Sequence, residues 1–561
     1  MSSCTKDKKT VENVFNLSLS GEVSTLDPAN SYDTISASVV YQCYEQLFQY
    51  HYLKRPYSIQ PLLAESLPKI TNNGTRYTIK IKKGIQYHPN EAFGGQPRFV
   101  KAQDFINQIK RLAFLPTSSN GWWLFNDRIK GINKFRKEAG SDINKFYQLN
   151  IEGLTAPDDH TLVIDLTRPY PQMLYAMTMS FTSPMPIEAI KFYENNMSSH
   201  VIGTGPFYLD SWKRRSGVTL KKFPKYRDAF YPSQGDRYSH RKNLLEDAGK
   251  KIPFIDEIRF KVIKESQTRW LNFRKKTIDL LAIPKDNYET SIDENGNLTK
   301  ELTDDKISLQ ISPTLTYWWL SFNMKDELLG KNLKLRQAIA HAVDVMKYIK
   351  SFTNNTGQPA NSIYPPGIPG YDPSHELPYQ YNIEKAKKLL AEAGYPGGKG
   401  LPELNFDVRG ISTVHRLRAE YVKNELIKIG IKVKVITNTF PSFLAKSRQG
   451  NLQFWQDGWA MDYPDAENSI QLLVTKNHAP GPNATYFSNP KVDKLYAKLK
   501  TLDDGKEKFA IMREIEQIVH DDLPWIMQYY ARTYILQHER IKNYRQSDIV
   551  YNYMKYIKIK K

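Results

Sequence analysis

Only two cysteines, Cys4 and Cys43, occur in this chain of 561 residues. That scarcity excludes a disulfide framework and any zinc site built from cysteine. Long apolar runs are missing as well, and nothing approaches the roughly 20 consecutive apolar residues that a membrane-spanning helix needs. The first apolar stretch follows no charged leader, so no signal peptide is read here. Catalytic signatures are also wanting. There is neither a G-x-S-x-G elbow nor an H-E-x-x-H pair, and the eleven histidines are dispersed without metal-ligand spacing. Gly398-Lys399 runs into Gly400 rather than Ser or Thr, so it fails as a phosphate loop. Gly203-Thr204-Gly205-Pro206 fails as a dinucleotide fingerprint, because Pro206 removes an amide donor where a phosphate would want one. Acidic pairs such as Asp158-Asp159 and Asp521-Asp522 read as turn and cap residues, not as a general acid and its base. No metal and no cofactor is expected.

What the chain does have is aromatic surface and positive charge. Its 35 Tyr, 25 Phe and 9 Trp make 12% aromatic residues, and such side chains, apolar in body and often polar at the tip, suit binding clefts as well as cores. Lys and Arg outnumber Asp and Glu by 79 to 59, a formal net charge of +20. Nucleic acid, an anionic membrane or an acidic ligand would each suit that sign. The basic residues are scattered, however, and the densest cluster, Lys213-Arg214-Arg215, is short. The charge therefore reads as a solvated surface. A basic nucleic-acid binder is the alternative from another class, and it predicts affinity that falls steeply with salt.

Length implies three or four domains or lobes, and the residue pattern mixes short strands with helices. Tyr77, Ile79 and Ile81 alternate with Thr78, Lys80 and Lys82 as in a half-buried strand that Gly84 ends. Phe105, Ile106, Ile109 and Leu112 recur at helical spacing, and Leu162, Ile164 and Leu166 alternate again. Leu335, Ala338, Ile339, Ala342, Val343, Met346 and Ile349 form one long helical stripe. Asn382 suits the start of the next helix and Gly394 its end. From Leu404 to Ile436 the pattern is strand, helix, strand: Ser412 or Thr413 caps the helix, Gly430 stops it, and Ile431, Val433 and Val435 form the second strand. That is a βαβ unit, so at least one lobe is α/β.

Several segments, in order along nearly the whole chain, resemble the extracytoplasmic solute-binding proteins of peptide-type ABC importers, the oligopeptide- and dipeptide-binding family. They are Thr25-Leu26-Asp27-Pro28, Tyr44-Glu45-Gln46-Leu47-Phe48, Gly84 to His88 with Lys101 to Phe105, and Ile202-Gly203-Thr204-Gly205-Pro206-Phe207. Ile278-Asp279, Phe322-Asn323, Leu335 to Ile339 with Val343-Asp344, and Ala386 to Gly394 follow. The series ends at Gly458-Trp459-Ala460-Met461-Asp462-Tyr463-Pro464-Asp465. The family usually has Gly where Gln46 and Lys276 stand. The resemblance implies an α/β, two-lobed periplasmic-binding-protein-like fold with a hinge and an additional α+β domain. Residues 1–50, 201–285 and 525–561 would form lobe I, 51–200 the additional domain, and 286–524 lobe II.

The implied function is capture of a peptide between lobes and delivery to an ABC transporter permease, without enzymatic turnover. The alternative within the fold is a metal chelate, sugar or other small molecule. By resemblance, Asp462 pairs with a peptide's terminal ammonium, as a charge-assisted hydrogen bond; the other reading is a turn or cap aspartate before Tyr463-Pro464. Gly458, Trp459 and Ala460 match the segment lining the cleft, although Trp459 also reads as core. Thr34 falls where the family presents backbone groups to the ligand. Tyr317 and Trp319 share one face of a strand and Trp318 the other, and one of these faces lines the pocket. His415 lies in the first turn of the βαβ helix, where oligopeptide-binding relatives meet a carboxylate and where a helix N-terminus favours anions; a surface histidine is the other reading. Where some relatives carry two arginines, this sequence has Ser447, with Arg448 beside it, and Gln456.

Met1-Ser2-Ser3-Cys4 resembles the end of a lipoprotein signal, small residues ahead of a cysteine that is acylated. The other reading is an unstructured polar start. The expectation is a monomer in the periplasm or on the outer face of a bacterial membrane, held by a lipid anchor on Cys4 and binding no nucleic acid.

Overall fold

The structure, a computed structural model, describes residues 13–376, 379–411, 413–479 and 481–560. Cys4 and Ser412 lie outside them. The described residues fall into two units, one within Met1–Gln310 and Ile535–Lys561, the other Ile311–Tyr534. The chain passes between them inside two single strands, Ile307–Phe322 and Trp525–His538. The sequence reading placed the changeovers at 285/286 and 524/525. Each boundary lies inside a continuous strand rather than at a turn or linker.

In the first unit, strand Val14–Leu19 buries Phe15, Leu17 and Leu19 and leaves Asn16 and Ser18 half-buried between them. It pairs in parallel with Glu257–Val262, which continues antiparallel to Gly217–Lys222 and then Phe207–Lys213. Parallel neighbours need a crossover, and the long one here carries a second sheet. In that sheet Lys69–Thr71, Arg76–Lys80, Thr161–Asp165 and Leu154–Asp158 lie side by side, all antiparallel. Tyr77 and Ile79 point into the core, as their alternation requires, and helix Ala102–Ala113 buries Phe105, Ile109 and Leu112 in the same core.

The motif residues of this unit turn out to be ties between distant segments. Asp27 meets Arg111 at 2.6 Å, Glu45 meets Arg227 at 2.5 Å, and Asp279 meets Arg540 at 2.6 Å. All three carboxylates are buried, and stripping one partner from such a pair costs about 3–5 kcal/mol. The glycines of Gly203-Thr204-Gly205-Pro206 serve packing too. A Cβ on Gly203 would fall 1.9 Å from the carbonyl oxygen of Cys43, and the Gly205 N–H donates to that same oxygen at 2.8 Å. The turn clamps the end of helix Thr34–Cys43.

In the second unit, Trp525–His538, Ile307–Phe322, Phe454–Ala460, Leu404–Val408 and Val433–Thr437 are successive neighbours in one sheet. Leu404–Val408 and Val433–Thr437 run parallel around helix Thr413–Ile427, which is the βαβ unit. Asn382 caps helix Ile383–Glu392 by accepting from the Lys385 N–H. The helical stripe from Leu335 is broken, however. It forms two helices, Leu333–Ala342 and Val345–Thr353, because Val343 is extended and Asp344 caps the second by accepting from the Lys347 N–H at 2.9 Å. The break resets the helical phase, so Met346 is exposed while Ile349 is buried. Phe322, Leu335, Leu390, Phe406, Leu426 and Phe454 belong to the core this arrangement encloses. No helix among the described residues is long and apolar enough to cross a membrane.

Candidate functional site

The second unit brings together most of the residues singled out from sequence. Strand Phe454–Ala460 pairs antiparallel with Ile307–Phe322, setting Tyr317 opposite Trp459, Trp318 opposite Gly458 and Trp319 opposite Asp457. Directly opposed residues share a face, so the two sides of this ribbon differ in chemistry.

One side closes onto the core. Tyr317 and Trp319 are buried and their rings lie 5.2 Å apart. The Tyr317 hydroxyl donates to Ser469 Oγ at 3.0 Å, and Trp319 packs against Trp525 at 4.4 Å. Of the two faces left open by the sequence, this one is the core. Tyr317 and Trp319 therefore back the site rather than line it.

The other side is half-open and carries Trp318. Its indole lies flat over Gly458, where an added Cβ would come within 2.6 Å of the ring. Tyr529 stacks beside it with centroids 6.2 Å apart, and the Arg409 guanidinium stands 5.2 Å from its centroid. Arg409 follows directly on strand Leu404–Val408 and donates to Asp457 Oδ1 at 3.1 Å. Burial raises the pKa of the Asp457 carboxyl even against that guanidinium.

Helix Thr413–Ile427 adds two more basic groups. His415 is half-buried, its ring set against Gly410, where a Cβ would lie 2.4 Å from Nδ1. Burial, then the charges of Arg418 and Arg409, hold the imidazole below its usual range. Arg418, one turn along, donates from Nη2 to the Phe352 carbonyl at 3.3 Å, while its buried Nε has no hydrogen-bond partner among the described residues. Such orphaned donors are costly. Two basic groups and an unmet N–H in the first turns of one helix, with Arg409 from the strand end, form a site suited to a carboxylate. Gln456 is held by its own neighbours, Nε2 donating to Tyr348 at 2.7 Å and to Gln528 at 2.6 Å. Arg448 is exposed in the last turn of helix Phe440–Gln449.

At the strand's end Ala460 is exposed and Trp459 half-buried, as is Asp462 just beyond it. Trp459 and Asp462 converge on one fully buried residue, Asn468. Its Oδ1 accepts from Trp459 Nε1 at 2.8 Å and from the Asp462 N–H at 3.2 Å, while its Nδ2 donates to Asp462 Oδ2 at 3.3 Å. The capping role left open for Asp462 belongs to Asp465. That carboxylate accepts from the Glu467 N–H at 2.8 Å and from buried Lys508 at 2.6 Å. The cap of helix Ala466–Ile470 is thus Asp465, and Asp462 is oriented by Asn468.

In the first unit, Thr34 is exposed as the first residue of helix Thr34–Cys43. Asp33 caps that helix, accepting from the Ser36 N–H at 2.8 Å and from the Ser24 hydroxyl at 2.8 Å.

Sequence reasoning passed over Arg409, Arg418, Asn468 and Asp457. Arg409 lies at the strand's C-terminal end and Arg418 three residues after His415, a spacing that shares a helix face. That was the signal to follow. Asn468 offered none.

Comparison with known proteins gives the family of the chain. Residues 58–481 match the family model described as "Bacterial extracellular solute-binding proteins, family 5 Middle". The chain is 25% identical over 524 residues to "Heme-binding protein A" of Haemophilus influenzae, covering 91% of this chain and 86% of that relative. It is 24% identical over 516 residues to "Glutathione-binding protein GsiB" of Shigella flexneri, covering 90% and 86%. Among solved structures it resembles the periplasmic binding protein DppA of Helicobacter pylori in complex with the peptide STSA, with a TM-score of 0.71, 24% identity and 98% of each chain covered. The two-lobed fold of peptide-binding proteins of ABC importers is therefore this chain's fold. By a family match over most of its length, this chain belongs to the bacterial extracellular solute-binding proteins of family 5.

Proposed function

We propose that this protein captures a peptide or peptide-like zwitterion outside the cytoplasm and delivers it, chemically unchanged, to the permease of an ABC importer. One observation carries the reading. A single unit holds an oriented carboxylate, Asp462 on Asn468, and a separate cluster of Arg409, His415 and Arg418 with an unmet donor. The first suits a terminal ammonium and the second a terminal carboxylate. On the ribbon's half-open side Trp318 offers an aromatic face and Gly458 and Ala460 strand backbone, the groups that hold an extended peptide whatever its side chains, while Trp459, on the side of Tyr317, reaches the site through Asn468. Thr34, which the resemblance also assigns to the ligand, is exposed in the first unit. The name of one relative supports the reading, since glutathione is itself a tripeptide.

The finer assignments are part of the same proposal. The protein acts as a monomer with no catalytic step, and Cys4 is acylated to tether it to the membrane, with support from the sequence Met1-Ser2-Ser3-Cys4 alone. Titration calorimetry with defined tripeptides tests the capture step. Wild type should bind free peptides, and Asp462→Asn should lose on the order of thirtyfold in affinity, about 2 kcal/mol. Equal affinity of the two proteins would remove the ammonium-pairing claim. Heme binding in place of peptide binding would replace the ligand class.

A further inference from the structure

The first unit contains a cavity of about 550 Å³ that none of the ligand residues above lines. That volume is in the range of small-molecule sites. Its walls are the buried side chains of Phe114, Phe146, Ile190 and Met197, and Ser141 stands exposed at the rim. Phe114 and Phe146 lie 5.0 Å apart, tilted by 49°, so two aromatic surfaces meet there.

The polar groups decide what can enter. Asp27 and Arg111 also line the cavity, but each is buried and already paired, Arg111 donating from Nη1 to Asp27 Oδ1 at 3.0 Å and from Nη2 to Oδ2 at 2.6 Å. A charged ligand would lose its hydration and find no buried counter-charge left to meet it. A cation would also face Lys110. That buried ammonium does not line the cavity but stands 4.9 Å from the Phe146 centroid. Glu194, exposed, and the half-buried Thr117 and Ser198 line it as well; the lining group with a buried, unmet polar atom is Asn30. Its Nδ2 is committed to the Thr117 carbonyl at 3.1 Å, which fixes Oδ1 as an acceptor, and that buried oxygen has no donor among the described residues.

We propose that this cavity is a second ligand site, separate from the peptide site, for a small uncharged aromatic molecule carrying one N–H or O–H donor. The rings of Phe114 and Phe146 supply stacking surface, Ile190 and Met197 supply apolar depth, and Asn30 Oδ1 takes the ligand's hydrogen.

Indole is a suitable probe, compared by equilibrium dialysis with 1-methylindole, indole-3-acetate and tryptamine. Saturable binding of one indole per chain is expected, with each comparator about tenfold weaker or worse. Ile190→Trp should weaken indole by at least that factor by filling the cavity. Ser141→Trp, at the exposed rim, tests the same claim without disturbing the core. Both variants should bind peptide as wild type does. No saturable indole binding up to its solubility limit would overturn the proposal. So would indole binding that survives both substitutions, or comparators that bind as tightly as indole.

Discussion

Asn468 Nδ2 donates to Asp462 Oδ2 at 3.3 Å, and the same amide's oxygen accepts from the Asp462 N–H. The side chain and backbone of Asp462 are therefore held by one buried residue. If Asn468 acts on the ligand through Asp462, the two substitutions will not add. Asn468→Ala should weaken tripeptide binding about tenfold in wild type but have little further effect on Asp462→Asn. Calorimetry across the double-mutant cycle reads this directly. Strictly additive losses would show that Asn468 serves only the packing around it.

The contact between Trp318 and Gly458 makes a second prediction. A methyl at position 458 would sit 2.6 Å from the indole, far inside van der Waals contact. Gly458→Ala must push Trp318 aside, at a cost of about 1–3 kcal/mol in stability. Because the clash is with that ring, Trp318→Ala should tolerate the extra methyl with little added loss. Urea unfolding of the four proteins measures the coupling. A Gly458→Ala protein as stable as wild type would mean that the indole rests elsewhere.

Acid should weaken the fold for a definable reason. Burial holds the imidazoles of His88 and His520 down to about 4 from an ordinary value of 6.5. Their unfolded forms take up protons first as pH falls. The stability gained from keeping them neutral is thus fully present above pH 6.5, and it shrinks down to about pH 4. At full protonation each would account for on the order of 3 kcal/mol. Unfolding midpoints should fall across that window, and His88→Gln should flatten part of the slope. A midpoint that stays constant from about pH 6.5 to about pH 4 would sink the assignment.

Local pattern was enough to find the strand at Arg76–Lys80, the cap at Asn382 and the βαβ unit from Leu404 to Thr437. It failed at Asp344, where periodicity saw one helix and a capping side chain makes two. It also could not rank the two faces around Trp318. The answer depends on Ser469 and Trp525, which reach Tyr317 and Trp319 from far along the chain. The same holds for the basic cluster. Arg409 and Arg418 come from a strand end and a helix, and neither carries a motif that announces a shared task. The chain order of the family-like segments carried the family assignment; the pairing of their acids with Arg111, Arg227 and Arg540 did not show in the sequence.

The orphaned Nε of Arg418 and the neighbouring His415 make the last prediction, which concerns the ligand's carboxylate. A carboxylate bound there satisfies the guanidinium donor and adds negative charge beside an imidazole that burial and two arginines now hold down. Binding should therefore raise the His415 pKa and take up a fraction of a proton, so affinity should rise as pH falls toward the ordinary histidine range. A peptide amide lacks that charge. Wild type should prefer a free tripeptide over its C-terminal amide by about tenfold or more. Arg418→Met should erase most of the preference, and His415→Gln should flatten its pH dependence while keeping the preference itself. Calorimetry in buffers of different ionisation enthalpy counts the proton. If the amide binds as well as the free acid, the basic cluster is not where the peptide ends.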